Sequence, residues 1–382
     1  LKIMMIDPWG INNIFFYTNG LCSSIAKYED LTLVTNCYYK AIADAKYNIM
    51  PIFFRISEKM NSNKLRKIIR GIEYIYSYKK IINELKSKHY DVVHIQWLLQ
   101  YKIDIYFLKE IRKYCKKIVY TAHNVLPHIN GEQYMNDLKI IYGLVDTIVL
   151  HGESIKKEFI HLFGEFENKI VIQRHGTYLN QNTQYDINEV EQSIIDKVQK
   201  YHWICIFFGG VFYSKGVDRL AKIWLEHFKN EDKLLIIAGR KYAEYKELDA
   251  LEEDINKCSN ILYINRYVED NLLNYLINKS DIILLPYRHA SMSGVIFTAA
   301  EFKKMALFTD TGAIAEYIID GENSFVVENQ DEVFGKKLKY ISSHLSKKVL
   351  AAGGNKFHEY IINNYSWNNI AKKLIEDAYN EI

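Results

Sequence analysis

"LLPYRHASMSGVIFTAAEF", residues 284–302, begins as an apolar strand, stops at Pro286, passes through Ser-Met-Ser-Gly and resumes as small apolar residues of helical character. A strand that ends in a serine-rich glycine turn and restarts as a helix points bare backbone N–H groups beyond the strand's carboxyl end. That geometry suits an anion, most often a phosphate. Ser293, Gly294 and Val295 are expected to present those groups, with Ser291 beside them, and Glu301 lies about two turns into the helix.

The same strand-then-helix grammar extends over the whole chain. In the first half the apolar runs are "KIMMI" (2–6), "LTLVT" (31–35), "MPIFF" (50–54), "DVVHIQ" (91–96), "KIVYTA" (117–122), "DTIVL" (146–150) and "KIVIQ" (169–173). The second half begins again with "WICIFF" (203–208), "KLLIIA" (233–238), "ILYI" (261–264), "DIILL" (281–285), "ALFT" (306–309) and "SFVV" (324–327). Near-continuous apolar strands separated by amphipathic stretches predict parallel sheets covered on both faces, hence two doubly wound α/β domains in series. The polar stretch "YLNQNTQYDINEVEQ" (178–192) is the expected break. The predicted boundaries are 1–180 for the first domain, 181–200 for a linker and 201–364 for the second. The tail 365–382 has helical periodicity, with Trp367, Ile370, Leu374 and Ala378 on one face.

Bulk properties exclude several function classes. A chain of 382 residues is too long for one core. A net charge of +3 carries no general affinity for nucleic acid. Five scattered cysteines without C-x-x-C spacing argue against a disulfide framework or a zinc site and predict reduced thiols, hence a cytoplasmic protein. No apolar run approaches the ~20 residues of a membrane span. The opening "LKIMMIDPWG" is too short for a signal peptide. H-E-x-x-H, G-x-S-x-G and D-x-D spacings are all missing, which leaves zinc hydrolysis, serine-esterase chemistry and a metal bridged by paired aspartates without support.

Several strand ends carry candidate chemistry. In "FFGGVFYSKGVDRL" (207–220), Gly209 and Gly210 let a large ligand approach the backbone, and Lys215 is a point charge beyond a strand end, suited to phosphate. A plain β–α turn with a solvated lysine is the alternative. "YTAHNVLPH" (120–128) places His123 and Asn124 just past a first-half strand, where a near-neutral imidazole can exchange or orient protons. His94, within "VVHIQW", is expected to be buried in its strand. "IQRHGTY" (172–178) brings His175 to the end of the first domain, and "IDPWGINN" (6–13) supplies Gly10, Asn12 and Asn13 as an acceptor-side loop.

Taken in order, "VVHIQWLL", "VYTAHNVLPH", "VDTIVLHGESIKKEFI", "VIQRHGTY", "FFGGVFYSKGVDRL", "DIILLPYRHASMSGVIF" and "LFTDTGAIAEYIIDGENSFVV" resemble the retaining GT-B glycosyltransferases of family 4 (GT4) over nearly the whole chain. The resemblance implies two Rossmann-like domains facing a cleft, with the C-terminal helix crossing back to the first domain. It implies that Lys215 contacts the donor diphosphate, that Ser293, Gly294 and Val295 cradle it, that His123 lies near the transferred sugar, and that Glu316 matches the glutamate of the family's G-G-x-P-E stretch. The chain departs from the family at the E-x7-E pair, where Ala290 or Ser291 and Thr298 or Ala299 stand, and Glu301 is the substitute considered for the ribose. Gly210 and Phe212 occupy the place of the arginine beside the phosphate lysine, so Arg240 or Arg288 would have to compensate. "KKMALF" replaces the usual Gly-Lys-Pro.

The expected activity is that of a hexosyltransferase, moving a sugar from a nucleotide diphosphate sugar to a saccharide or lipid-linked saccharide without metal or other cofactor, in surface polysaccharide or glycoconjugate assembly. The basic, tyrosine-rich segment 63–88 is a candidate for peripheral contact with an anionic membrane at the inner face of the cell, against the alternative of a solvated helix face. The competing functions are a non-catalytic GT-B subunit that stabilises a partner transferase and a GT-B sugar-nucleotide epimerase. A nicotinamide dehydrogenase ranks last, because no G-x-G-x-x-G follows either domain's first strand.

Overall fold

The computed structural model of the chain describes residues 1–11, 14–41, 45–61, 63–127, 131–177, 183–242, 244–290 and 293–380. Two compact units emerge, one formed by Leu1–Gly176 with Tyr365–Ile382 and the other by Thr177–Asn364.

The first unit is built on strands β1 (Lys2–Asp7), β2 (Asp30–Asn36), β3 (Asn48–Phe53), β4 (Tyr90–Ile95), β5 (Cys115–Thr121), β6 (Thr147–Leu150) and β7 (Ile170–Ile172). They pair in parallel in the order β3-β2-β1-β4-β5-β6-β7. Five helices connect them: α1 (Phe15–Ile25), α2 (Asn63–Ser87), α3 (Tyr101–Ile111), α4 (Met135–Leu144) and α5 (Glu153–Phe163). Parallel strands need crossovers, and helices on both faces leave the central strands with no solvent side. Ile3, Met4, Met5 and Ile6 of β1 are accordingly all fully buried.

The second unit starts with α6 (Gln192–Gln199) and continues as β8 (Trp203–Phe208), α7 (Val217–His227), β9 (Lys233–Ala238), α8 (Lys246–Asp249), α9 (Glu252–Lys257) and β10 (Ile261–Ile264). Then follow α10 (Asp270–Lys279), β11 (Ile282–Leu285), α11 (Val295–Glu301), β12 (Ala306–Thr309), β13 (Phe325–Val327), α12 (Asp331–His344) and α13 (Lys347–Tyr365). Its six parallel strands run β10-β9-β8-β11-β12-β13. Strand order reverses between β1 and β4 in one sheet and between β8 and β11 in the other, and ligands of open α/β sheets bind outside the carboxyl ends at such points.

The linker expected over 181–200 is corrected in part. Residues 192–199 form α6, which buries Ile194, Ile195 and Val198 within the second unit. Those residues at i, i+1 and i+4 make a short apolar stripe that the surrounding Asn, Gln and Glu mask in composition. At the other end of the chain, α14 (Trp367–Leu374) is capped by Ser366, whose hydroxyl accepts from Asn369 N at 3.4 Å. A π-helical turn, Ile375–Tyr379, follows. Ala371, Leu374, Ala378 and Tyr379 belong to the buried core of the first unit, alongside Ile3, Leu33, Val92 and Val119.

Candidate functional site

In the second unit, β8 ends at Gly209, whose φ of +112° leaves nothing within 4 Å of the position a Cβ would take. The backbone there is open to close approach. A short 3-10 turn, Tyr213–Lys215, carries the chain to Gly216, which has a φ of +66°. A Cβ on Gly216 would stand 2.0 Å from the carbonyl oxygen of Pro286, so only glycine lets this turn close against the end of β11. The Arg288 N–H donates to Ser214 O at 2.8 Å and fixes the two loops together.

That closure brings Lys215 to the opening segment of the sequence. Its ammonium lies 3.8 Å from the ring centroid of Tyr287, and the Tyr287 hydroxyl is 3.1 Å from Ser293 Oγ. Ser293 is buried, and Gly294 is the N-cap of α11, followed by Val295 at its first position. Burial pushes the Lys215 amine down to about 8. A cation held partly dehydrated over an aromatic face is stabilised by the ring quadrupole, but much less than by an anion. The Tyr287 carbonyl in turn accepts from Thr309 Oγ1 at 2.5 Å, tying the ring's backbone to β12.

The other residues expected on the donor side do not all join. Gly210 continues the loop and carries no positive φ. Arg288 is spent within the protein: its two terminal nitrogens reach the two carboxylate oxygens of Asp218 at 2.7 Å each, and one also donates to Tyr213 O at 2.9 Å. Burial pushes the Asp218 carboxyl up, but the hydrogen bonds from Arg288 and Tyr245 outweigh it and hold the group below its usual range. Arg288, expected to stand in for the missing phosphate arginine, braces the Lys215 turn through Asp218 and the Tyr213 carbonyl. Arg240 is exposed at the end of β9 with its guanidinium 5.5 Å from the Tyr242 ring, beside the β8 loop where Val211 N donates to Arg240 O at 3.0 Å. Glu301 is the last residue of α11, roughly 10 Å along the axis from the serine turn. It sits at the far end of the helix from Ser293. Ser291 lies outside the described residues.

The first unit gathers side chains at the carboxyl ends of its strands. Gly10 follows β1 with a φ of +32°, in a turn whose N–H groups at Trp9 and Gly10 donate to Asp7 Oδ1 at 3.0 and 3.1 Å. Asn12 and Asn13 lie outside the described residues. Asn124 is half-buried in the turn after β5. His123 and His175 belong to a cluster that includes His94 and His151, so each of the strands β4 to β7 delivers one imidazole at or just past its end. Tyr17 of α1 packs its ring against His123, His151 and His175 with centroids 5.3, 5.7 and 4.8 Å apart. Trp97 stacks on His123 at 4.1 Å with an interplanar angle of 5°.

One proton arrangement satisfies the cluster. His151 Nδ1 is 2.9 Å from the Gln173 carbonyl oxygen, which can only accept, so the proton is on Nδ1 and Nε2 accepts. Burial holds all four rings neutral, His94 at about 3, His151 at about 4, and His123 and His175 well below their usual range. His123 Nδ1, 3.0 Å from His151 Nε2, must then donate, which leaves a lone pair on its Nε2. Gln96 Oε1 stands 3.1 Å from that nitrogen, two acceptors face to face. Turning the Gln96 amide over supplies a donor to His123 and an acceptor to His94 Nε2, which lies 3.3 Å from the other amide atom. His94 Nε2–H then also donates to Thr121 Oγ1 at 2.7 Å, and its Nδ1 accepts from Tyr379 O–H at 2.6 Å. Donors run in one direction from Tyr379 to Gln173. Both nitrogens of His123 are engaged, so the ring is an uncharged wall and not a free base. Among the described residues, the buried Trp97 Nε1 and Gln173 Oε1 have no hydrogen-bond partner, a donor and an acceptor that a polar ligand could meet.

Sequence reasoning missed Tyr17, Gln96, Trp97, His151, Gln173 and Tyr287. His151 and Tyr287 were detectable, since each lies one or two residues past a strand end. The partners of Arg288 were not, being some 70 residues away in sequence.

Residues 203–343 match the family described as Glycosyl transferases group 1. No curated protein matches the chain. Among solved structures, sucrose-phosphate synthase from Thermosynechococcus elongatus is similar at 11% identity with a TM-score of 0.70, over 98% of this chain and 97% of that one. A glycosyltransferase from Rickettsia africae is similar at 18% identity and a TM-score of 0.67, over 98% and 97%. HepE from Anabaena in complex with UDP-glucose is similar at 13% identity and a TM-score of 0.65, over 98% of each chain. The fold is that of the GT-B glycosyltransferases, two Rossmann-like units in one chain.

Proposed function

We propose that this chain is a retaining hexosyltransferase of the GT4 type, moving a sugar from a nucleotide diphosphate sugar to a hydroxyl of a saccharide or lipid-linked saccharide in surface polysaccharide or glycoconjugate assembly. The observation that carries the proposal is Lys215, half-buried against Tyr287 beside Ser293, at the strand-order reversal of the second unit. A partly desolvated cation next to open glycine backbone at Gly209 is a seat for a diphosphate, and HepE shows UDP-glucose bound in a protein of similar fold.

In the proposed step the bond between the sugar's anomeric carbon and the β-phosphate oxygen breaks and the acceptor oxygen bonds that carbon on the same face. The acceptor's proton passes to the leaving diphosphate, so no metal or protein base is required. Lys215 and the amides of Ser293 to Val295 stabilise the charge that grows on the leaving oxygen, and losing one such donor typically raises the barrier by about 3 kcal/mol. His123, with both nitrogens engaged, shapes the sugar site without abstracting a proton. The protein works in the cytoplasm, in peripheral contact with an anionic membrane through residues 63–88.

The second reading, a non-catalytic subunit, draws on the absence of a carboxylate at positions 290, 291, 298 and 299. Thermal shift with UDP-, GDP-, ADP- and dTDP-sugars tests the site, because a ligand specific to the folded form adds about 2.7 kcal/mol at a hundredfold excess over its Kd. A shift that vanishes in Lys215→Ala supports the pocket; no shift with any of the four removes it. Turnover of the binding nucleotide sugar by the isolated chain then decides against the non-catalytic subunit.

A further inference from the structure

Leu65, Ile68, Ile72, Ile75, Lys79, Ile82 and Lys86 recur three and four residues apart along α2, so they form one stripe. A neighbouring face of the helix already does the work of a core helix, burying Tyr74, Tyr78, Ile81 and Leu85. The N-terminal part of the stripe is left to solvent: Leu65 is 50% exposed and Ile68 and Ile72 are each 62% exposed, while Ile82 further along is buried; Tyr106 of α3 is 61% exposed. Toward the C-terminus of α2 the stripe runs into a groove of about 540 Å³ between α2 and α3. Ile75, Ile82, Ile103, Tyr106 and Phe107 line it, together with Lys79, Lys86, Lys102 and Glu110.

Charge selects the occupant. The acids of these two helices are already engaged: Glu73 accepts from the Ile56 and Ser57 N–H groups, Glu84 pairs with Lys88 at 2.8 Å, and Glu110 pairs with Lys113 at 2.6 Å. Asp104 is buried and accepts from Tyr74 at 2.7 Å. Among the described residues Lys79 and Lys102 have no ion-pair partner. A row of exposed isoleucines bordered by unneutralised lysines matches an interface with an acyl layer beneath a sheet of phosphates.

We propose that the solvent side of α2 and α3 docks on an anionic phospholipid bilayer, with Leu65, Ile68, Ile72 and Ile75 entering the acyl boundary, Lys79, Lys86 and Lys102 meeting headgroup phosphates, and the groove seating part of one acyl chain. This deepens the membrane contact of the preceding reading and rests on it for the assignment of a lipid-linked acceptor, but the face is tested without any sugar nucleotide.

The experiment is co-sedimentation of the full chain with sucrose-loaded vesicles of phosphatidylcholine alone or mixed with phosphatidylglycerol. The chain is expected to sediment with the mixed vesicles only, and less so as salt rises. Ile68→Asp with Ile72→Asp should reduce binding at least a hundredfold, since each isoleucine loses its burial. Lys79→Gln with Lys102→Gln should reduce it roughly 30-fold, at about 1 kcal/mol per lysine. Both variants alter exposed positions and should keep the wild-type melting point. Wild-type binding at background, or full binding by the isoleucine variant, overturns the proposal. So does a concentration-dependent dimer that the isoleucine variant abolishes without any vesicle binding, which would assign the face to a second copy. Sugar-nucleotide thermal shifts stay with the second unit in every arm, so their loss marks failure of the transferase reading and leaves the docking face standing.

Discussion

Lys215 shows how a binding residue can be costly in the unliganded protein. Its amine is pushed from 10.5 to about 8 by burial, which corresponds to roughly 3 kcal/mol of destabilisation when the group is charged. Because the folded value is depressed, stability is fully present above 10.5 and is lost as pH falls through about 8. At neutral pH the unliganded fold therefore carries the full cost, and an incoming diphosphate relieves it. Lys215→Met should raise the melting point of the free chain at pH 7 while removing the thermal shift with sugar nucleotides; a lower melting point would identify Lys215 as structural. In the wild type, nucleotide-sugar affinity should be flat below pH 8 and weaken about tenfold per pH unit above it, as titration calorimetry would show. Arg288 teaches the converse at the same scale. A guanidinium three residues past a strand reads as a phosphate ligand in sequence, yet Asp218 and the Tyr213 carbonyl take its terminal nitrogens. Nothing near Arg288 in the chain announces an ion pair formed through the fold.

At the scale of elements, what was legible follows from burial on both faces. The strands among the described residues were readable as apolar runs, the central ones because a parallel strand with no solvent side needs no alternation, and the return of α14 was readable from Trp367, Ile370, Leu374 and Ala378 at helical spacing. Composition hid α6, whose three buried residues sit in a polar stretch, and the reading of α2 as basic hid its isoleucine stripe, since both faces of that helix are apolar. The histidine chain was illegible for a different reason: it is written across four strand ends that only sheet order makes neighbours. Its prediction is spectroscopic. Long-range 15N–1H correlations should show His123 protonated at Nδ1. In His151→Phe that nitrogen loses its acceptor, so the proton should move to Nε2 and donate to Gln96, at a stability cost of about 1–3 kcal/mol for the disrupted buried hydrogen bonds. An Nε2 proton on His123 in the wild type would refute the assigned direction of the chain.

For the molecule as a whole, the two units should respond unequally to acid. His94, His123, His151 and His175 all belong to the first unit, and their folded values lie below 6.5, so the stability they contribute is present above 6.5 and is lost as pH falls toward about 4 for His151 and about 3 for His94. Two carboxyls of the same unit act the other way. Asp104 is raised to about 6 by burial and Asp7 is raised likewise, so each favours the folded state at low pH and loses that contribution as pH rises through its folded value. Four depressed histidines against two raised aspartates leave a net uptake of protons on unfolding, so the stability of this unit slopes downward as pH falls below 6.5. A domain whose total stability lies within about 5–15 kcal/mol cannot absorb that slope for long. Hydrogen exchange of the full chain at pH 5 should therefore show amides of β4, β5 and β6 losing protection before those of β8, β9 and β11. Burial holds His94 neutral, and its Gln96 and Thr121 partners are interior to the first sheet, so the earliest loss is expected around β4 and β5, away from the peripheral strands β3 and β7. Exchange that starts in the second unit, or uniformly in both, would show that the buried imidazoles do not set the acid limit.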